Sequence, residues 1–295
     1  MRDTLGSDGY WEKWVSYKEA RVIEMREILA AGPMDAAAAQ YAYRIATTYI
    51  ELMLLKYSRG DDVASICALL PSVVDAWEHA ERIGERWWSA EIQNIRHSWA
   101  LNLDFYQRSF WLVGFALAGS ADDQLWLRLL RLIGNEGEDA LLDSVIASRQ
   151  AGRKIGASLC FPKAYGKLLD VIRASSDMRG EGLRAYLADW YSSLDGAGNK
   201  SVPIPNRTPY WHGLGDENFE GGAYFGRWCV EAVAVVVAFS INDSACLDSR
   251  YYPADLIRDG RAPIRQSIAN AVDAVIEVPQ SPKGFLARIA ARIRR

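Results

Sequence analysis

The stretch YFGRWCVEAVAVVVAFSINDSACLDSRYYPADLI, residues 224–257, contains the most hydrophobic run of the chain, residues 228–241, with a single carboxylate in it, Glu231. A helix that is apolar on every side is buried, so this run predicts a helix in the middle of the core. A buried carboxylate is strongly destabilising unless it is paired or hydrogen-bonded. Glu231 therefore needs partners, and the stretch is either an active site or a structural contact that fastens the central helix.

The residues that follow the apolar run favour the structural interpretation. Tyr251 and Tyr252 carry hydrogen-bond donors close by in sequence, and we expect the segment around them to satisfy Glu231. Pro253 suits the first turn of a new helix. Asp255 falls in that same turn, where a negative charge is favourable.

Two other roles for Glu231 remain open. Arg227 precedes it by four residues, the spacing of an ion pair along one helix. Glu231 and Asp255 could instead form a general acid–base pair, which would make the protein a helical metal-dependent hydrolase. The sequence places no nucleophile, ligand set or phosphate-binding loop beside that pair, so we favour the structural role.

Helical periodicity extends along nearly the whole chain. Gly60 can end one helix in a left-handed conformation and Asp61 can cap the next, while Pro71 should kink or split that next helix. Its apolar residues recur at spacings of three and four: Val63, Ile66, Leu70, Val73, Trp77 and Ala80.

The remaining helices are predicted from the same pattern. The aromatic stretch 85–117 reads as one long helix or two nearly continuous ones, and Asn135 with Glu138 suits an N-cap pair. Residues 195–218 are rich in Gly and Pro and have no period, so they predict a long loop. The fold class is therefore all-α, a multi-helix bundle of about ten to twelve helices, with the loop preceding the buried apolar helix. Other helices are expected at residues 12–29, 35–57, 122–133, 162–174 and 177–194.

Few groups in the sequence suit catalysis. The chain has no nucleophile elbow and no phosphate loop, and its clustered acids lie where helix N-termini favour negative charge. We predict no enzymatic activity, no metal and no cofactor. A helical interaction scaffold is a further alternative, but it requires a fixed repeat period that the sequence does not show. The three histidines lack the spacing of a metal site: His79, His97 and His212.

Charge and hydropathy argue against a nucleic-acid-binding or a membrane-spanning protein. A net charge of −3 and a pI near 5.8 argue against a general nucleic-acid binder. No run reaches the roughly 18 apolar residues of a membrane span. The basic end of the chain is typical of a solvated helix C-terminus, where positive charge is favourable. We therefore predict a cytoplasmic protein that contacts neither membrane nor nucleic acid. The four cysteines are isolated and read as reduced and buried: Cys67, Cys160, Cys229 and Cys246.

The opening stretch resembles the C-terminal signature of the PoNi immunity proteins. In that signature an aromatic–Gly–x–Trp–x–x–Glu–Ala segment precedes an apolar helix, an Ile-x-Asp-Ser step and a Tyr-Tyr-Pro-x-Asp-Leu string. Residues 57–62, Tyr-Ser-Arg-Gly-Asp-Asp, are similar to part of the N-terminal domain of that family. The positions that carry the signature here are Tyr224, Gly226, Trp228, Glu231, Ala232, Ile241, Asp243, Ser244, Tyr251, Tyr252, Pro253, Asp255 and Leu256.

The resemblance implies a function. Members of the family bind and neutralise DNase toxins of the PD-(D/E)xK type that bacteria deliver to one another, including by type VI secretion. This chain would then be a stoichiometric inhibitor of a cognate DNase toxin. The resemblance also implies an N-terminal helical region, residues 1–118, and a C-terminal helical region, residues 119–295, packed as one unit. A homodimer remains an open alternative.

The long loop offers a candidate toxin-binding surface. Acidic residues outnumber basic ones between residues 201 and 260, and an acidic surface complements the basic cleft of a DNase. Aromatic anchors within a polar rim are typical of protein interfaces. A mobile, solvated loop is the alternative interpretation. The candidate contact residues are Trp211, Asp216, Glu217, Phe219 and Glu220.

Overall fold

A helical hairpin begins the computed structural model, which describes residues 1–216, 219 and 221–258. Helix α1 (Asp8–Ala31) packs on α2 (Ala36–Arg59). Ser7 caps α1 and Asp35 caps α2, each accepting a hydrogen bond from a backbone N–H three residues later. Helix α1 buries one narrow stripe along its length, formed by Trp11, Val15, Val22, Met25 and Leu29.

The apolar residues that recur at spacings of three and four after Gly60 lie on two helices, α3 (Val63–Cys67) and α4 (Leu70–Trp87). Pro71 lies in the first turn of α4, so the predicted split is confirmed. Gly60 ends α2 in the left-handed conformation, also as predicted. The predicted cap at Asp61 is wrong, because Asp62 accepts the hydrogen bond from Ser65 while Asp61 pairs with a cation of α2.

The aromatic stretch forms separate helices, so the prediction of one long or two nearly continuous helices is wrong. It contains the end of α4, then α5 (Ala90–His97) and α6 (Leu103–Ala118). Ser89 and Asn102 accept hydrogen bonds from the first turns of α5 and α6, and each starts a new helix. Side-chain capping therefore outweighs the continuous aromatic pattern.

Four helices follow before the long loop: α7 (Asp123–Ile133), α8 (Leu142–Ala147), α9 (Pro162–Arg173) and α10 (Arg179–Ser193). The predicted N-cap pair of Asn135 and Glu138 is wrong. Asn135 has a positive φ, and its side-chain amide donates to the carbonyl groups of His97 and Ile133, each at 2.7 Å.

The loop and the last elements complete the described chain. A short 3-10 helix (Ile204–Arg207) lies in the loop, and another (Ser244–Cys246) separates α11 (Val230–Phe239) from α12 (Asp255–Arg258). Over the described residues the chain forms twelve α-helices and no strand, which confirms the all-α prediction. The core is built around α6 and α11, which pack on each other and are buried over most of their surfaces.

The turn before α8 is organised by two buried aspartates. Asp139 accepts hydrogen bonds from the hydroxyl of Tyr106 and from the backbone N–H groups at the start of α8. Asp143 accepts from the guanidinium group of Arg153 at 2.7 Å. Both aspartates are fully buried and have direct partners.

The predicted division at residues 118 and 119 falls at the end of α6. Helix α6 belongs to the first predicted region and α11 to the second, yet the two helices share one core. The division itself stays a prediction.

Candidate functional site

Glu231 lies in the first turn of α11 and is 0 % exposed. Its Oε1 atom accepts a hydrogen bond from the hydroxyl of Tyr165 on α9 at 3.0 Å. The side-chain amide of Gln107 on α6 lies 3.5 Å from the same oxygen. The other oxygen, Oε2, has no hydrogen-bond partner.

The predicted partners of Glu231 are therefore wrong. Tyr165 and Gln107 come from distant helices, and the segment around Tyr251 and Tyr252 binds elsewhere. Tyr252 donates its hydroxyl hydrogen to Asp243 at 2.8 Å. The alternative of an ion pair with Arg227 is also contradicted, because that guanidinium group binds Asp216 in the long loop.

The segment around Tyr251 nevertheless fastens α11, but through its backbone. The carbonyl oxygen of Tyr251 accepts a hydrogen bond at 2.8 Å from the N–H of Cys229, the N-cap residue of α11. At the same end, the indole N–H of Trp228 donates to Ser58 on α2 at 2.8 Å. The residues of the signature thus hold α11 to α2 and to the chain that follows. Pro253 is buried as well.

Burial controls the electrostatics of Glu231. Removal from water raises the pKa of Glu231 to about 7, against the opposing effect of its own backbone N–H and of donors on Tyr165, Trp111 and Gln107. The indole N–H of Trp111 faces the carboxyl group without forming a well-aligned hydrogen bond. The carboxyl group lies in the core with no surface to receive a substrate.

The candidate acid–base pair is not assembled. Asp255 begins α12, with its side chain 54 % exposed, and pairs with Arg2 at 2.6 Å. Glu231 is buried among uncharged donors. Each carboxyl group has its own partners, so the geometry does not support the hydrolase that was proposed on Glu231 and Asp255.

The loop residue Trp211 is part of the core. Its side chain is 3 % exposed, its indole N–H donates to Gln107 at 3.1 Å, and its ring stacks on Trp190 with centroids 5.9 Å apart. A ring buried to this extent offers no surface to a partner. Trp211 therefore anchors the loop, and the prediction that it is a surface anchor does not fit the structure.

The far end of the loop is anchored on the N-terminal segment. The hydroxyl of Tyr224 donates to Asp3 at 2.6 Å, and its carbonyl oxygen accepts from the hydroxyl of Tyr10 at 2.7 Å. Phe219 is partly buried against the rings of these two tyrosines. Trp211 and Tyr224 thus anchor the chain on either side of Asp216 and Phe219.

Between these anchors, Asp216 is the candidate that reaches the surface. Its carboxylate is 53 % exposed and lies 2.5 Å from the guanidinium group of Arg227. The structure thus places Asp216 and Phe219 on the same loop outside the core. Glu217 and Glu220 lie outside the described residues.

The histidines have structural surroundings. His97 lies 3.0 Å from Glu81, and the ring of His212 stacks on Tyr191 with centroids 4.3 Å apart. Burial lowers the pKa of His79, with Arg82 adding to the effect. Across the described residues, no group of three or more His, Cys, Asp or Glu side chains is arranged to hold a metal ion.

A cleft of about 420 Å³ lies between α4 and the end of α7. Two of its lining residues are carboxylates, Glu78 and Glu81. Glu78 accepts hydrogen bonds from Arg128, whose guanidinium group lowers the pKa of Glu78. Glu81 accepts from the indole of Trp77 at 2.9 Å and also contacts His97. Both carboxylates are engaged in contacts between helices, which favours a structural role.

In the part of the chain that the structure describes, no helix combines the length and the apolar composition needed to cross a bilayer. In that part no disulfide joins the cysteines. Cys229 and Cys246 are buried as predicted, whereas Cys67 and Cys160 are only partly buried, so the prediction is wrong for those two.

Two protein-family models match the chain. Residues 2–131 match the N-terminal model of the PoNe immunity protein (PoNi). Residues 137–256 match the C-terminal model of the PoNe immunity proteins (PoNi). The second match includes the whole of α11 and the residues that fasten it.

The fold is similar to that of a solved structure. It is the crystal structure of protein PA2201 from Pseudomonas aeruginosa, with a TM-score of 0.65 and 16% sequence identity, covering 88% of this chain and 90% of that chain. A search of the curated proteins found no match. The structural similarity concerns the fold alone, whereas the two family models together span most of the sequence. The chain therefore belongs to the family of PoNe immunity proteins.

Proposed function

We propose that this protein binds a cognate bacterial nuclease toxin and neutralises it by forming a stoichiometric complex. The observation that carries the proposal is the match of both the N-terminal and the C-terminal immunity-protein models, over residues 2–131 and 137–256. The fully buried Glu231 is consistent with it, because the carboxylate that most resembles a catalytic group is enclosed in the core. The protein acts as a binding partner and has no turnover.

The toxin is a DNase, and the protein meets it in the cytoplasm of the producing cell or of its kin. Delivery between bacteria by type VI secretion accounts for the need for protection at that place. A DNase cleft is basic because it must hold a phosphate backbone, so an acidic protein surface complements it and accelerates association. This complementarity is lost at high salt, since exposed charges are screened.

Coexpression tests the immunity function directly. The nuclease encoded next to this gene is expressed in a DNase-sensitive host, with and without this protein. We expect the protein to restore growth and to co-purify with the nuclease in a fixed ratio. Persisting toxicity together with no co-purification would refute the immunity function.

The exposed part of the loop is our candidate for the toxin contact. Asp216 supplies a surface charge beside the partly buried Phe219, and Glu217 and Glu220 add two acids in the same sequence segment. Trp211 and Tyr224 are anchored on either side of Asp216, and ordering a site before binding reduces the entropic cost of forming the complex.

Reversing the charges of the acidic loop residues tests whether the loop contacts the toxin. Replacing Asp216, Glu217 and Glu220 together with Lys should weaken toxin binding at least tenfold, mainly through slower association, as measured by surface plasmon resonance. The control replaces three exposed acids of other helices with Lys: Glu27, Glu85 and Glu91. Equal affinities for the loop variant and the native protein would remove the loop from the interface.

A further inference from the structure

The carboxyl group of Glu231 is enclosed by four helices. Helix α11 carries it, α6 and α9 supply the groups that contact Oε1, and α10 lies close enough for the pKa of the Tyr186 hydroxyl to be raised by burial and by Glu231. The residue is 0 % exposed. No solvent reaches the charge in the folded state.

The groups that face this carboxyl group are uncharged side chains. Gln107 and Trp111 face it from α6, Tyr165 from α9 and Tyr186 from α10. The thiol of Cys229 also lies near it: burial raises the pKa of that thiol, and Glu231 adds to the effect. None of these groups supplies a positive charge to balance a carboxylate.

The ionised side chains of the other elements that pack on α11 are engaged elsewhere. On α8, Asp143 pairs with Arg153. On α12, Asp255 pairs with Arg2, and the guanidinium group of Arg258 lies 3.7 Å from Asp243. Glu231 is thus a buried acid whose ionised form lacks a counter-ion among the described residues.

The two carboxyl oxygens differ. Oε1 faces donors on Tyr165 and Gln107, whereas Oε2 has no hydrogen-bond partner. An unpartnered carboxylate oxygen in the core carries a full desolvation cost, and adding a proton to it removes the charge. The geometry therefore assigns a proton to Oε2.

We infer that Glu231 is a buried proton-binding site, which holds its proton on Oε2 below neutral pH and releases it as the pH rises, so that the folded protein loses stability on alkalinisation. The donors around the carboxyl group are what allow release to occur near neutrality. Tyr165, Trp111 and Gln107 all favour the charged form and partly offset its burial.

The sign of the effect follows from linkage. Burial raises the pKa of Glu231 from its ordinary value of 4.5 to about 7. Between these two pH values the folded state binds more protons than the unfolded state, so stability falls as the pH rises. One proton corresponds to at most a tenfold loss in the folding equilibrium constant per pH unit. A carboxylate that pairs with a cation has a lowered pKa in the folded state, so its contribution to stability increases as the pH rises.

The test is the pH dependence of urea unfolding from about pH 4 to about pH 9, a range that spans both pKa values of Glu231. The Glu231→Gln variant keeps the shape of the side chain and cannot ionise. We expect the folding equilibrium constant of the native protein to fall, relative to that of the variant, by roughly tenfold per pH unit up to about pH 7, and to stay level above it. Taking the difference also removes contributions from Asp104, Glu138 and Asp143, whose pKa values burial raises as well.

Two further variants make the test specific. Glu91→Gln removes a carboxyl group from an exposed position on α5 and controls for the loss of one charge. Tyr165→Phe removes a donor that lowers the pKa of Glu231, so the decline in stability should extend to higher pH. Parallel pH profiles for the native protein and Glu231→Gln would overturn the inference, as would an unshifted profile for Tyr165→Phe if Glu231→Gln does not fold.

Discussion

At the residue scale, the protein stabilises its buried carboxyl groups in two different ways. Asp143 has a guanidinium partner, Arg153, and the backbone N–H of Asp139 also donates to it. Glu231 has only uncharged donors, and one of its oxygens has no hydrogen-bond partner. The first arrangement keeps the charge in the core, whereas the second allows it to be neutralised.

The need of Glu231 for partners could be predicted from the sequence, but the partners themselves could not. Tyr165 is 66 residues away and Gln107 is 124 residues away. Spacing rules reach only the next helical turn or the adjacent segment, and this is why Arg227, Tyr251 and Tyr252 seemed the nearest choices. Long-range contacts of this kind depend on how the helices pack, which periodicity does not specify.

Replacing Glu231 with Ala should lower the free energy of unfolding by about 2–4 kcal/mol, since it leaves buried donors without an acceptor and opens a void. Urea denaturation measures the change, and Glu231→Gln, which keeps an acceptor and the volume, is the control. If Glu231→Ala left stability intact and abolished protection against the toxin, the residue would have a functional role in place of a structural one.

At the element scale, α6 and α11 make a close contact in the core. Gly114 faces Val230, and a Cβ atom on Gly114 would lie 2.7 Å from the Cγ1 of Val230 and 3.0 Å from its carbonyl oxygen. A glycine in a helix usually lowers stability. Here it permits two buried helices to approach each other.

Replacing Gly114 with Ala should therefore destabilise the protein by about 1–3 kcal/mol through overpacking. Thermal unfolding followed by circular dichroism measures the change. Gly166→Ala on α9 is the matched control, because a Cβ atom there meets nothing within 4 Å, and it should be neutral or stabilising by up to about 1 kcal/mol. Equal effects of the two substitutions would mean that α6 and α11 are not in close contact.

Some helix boundaries could be predicted from the sequence and others could not. Pro71 and Gly60 act through the backbone alone, and both predictions about them are confirmed. Ser89 and Asn102 divide the aromatic stretch through side-chain caps. The sequence also contains other Ser and Asn residues that cap nothing, so the caps that end a long apolar pattern are difficult to identify in advance.

At the scale of the whole molecule, the two family regions share a core. Helix α6 lies within residues 2–131 and α11 within residues 137–256, and their contact is among the most extensive in the described chain. The all-α class follows from periodicity alone, whereas this joining of the two regions depends on tertiary packing that the sequence pattern does not reveal.

The shared core predicts a single cooperative unfolding transition. Far-ultraviolet circular dichroism, which reports all helices, and near-ultraviolet circular dichroism, which reports the packed aromatic rings, should give the same midpoint in urea. Separate midpoints would show that the regions unfold independently and would argue against a common core.

The anchoring of Trp211 and Tyr224 has an evolutionary consequence for the segment between them. Substitutions at exposed positions between the anchors, such as Asp216, leave the core contacts of both anchors intact, so these positions can diverge while the rest of the protein stays under strong selection for packing. If the loop contacts the toxin, related proteins that protect against different nucleases should differ most between the anchors. New specificities could then arise by changing a few surface positions, without the need for compensating mutations in the core.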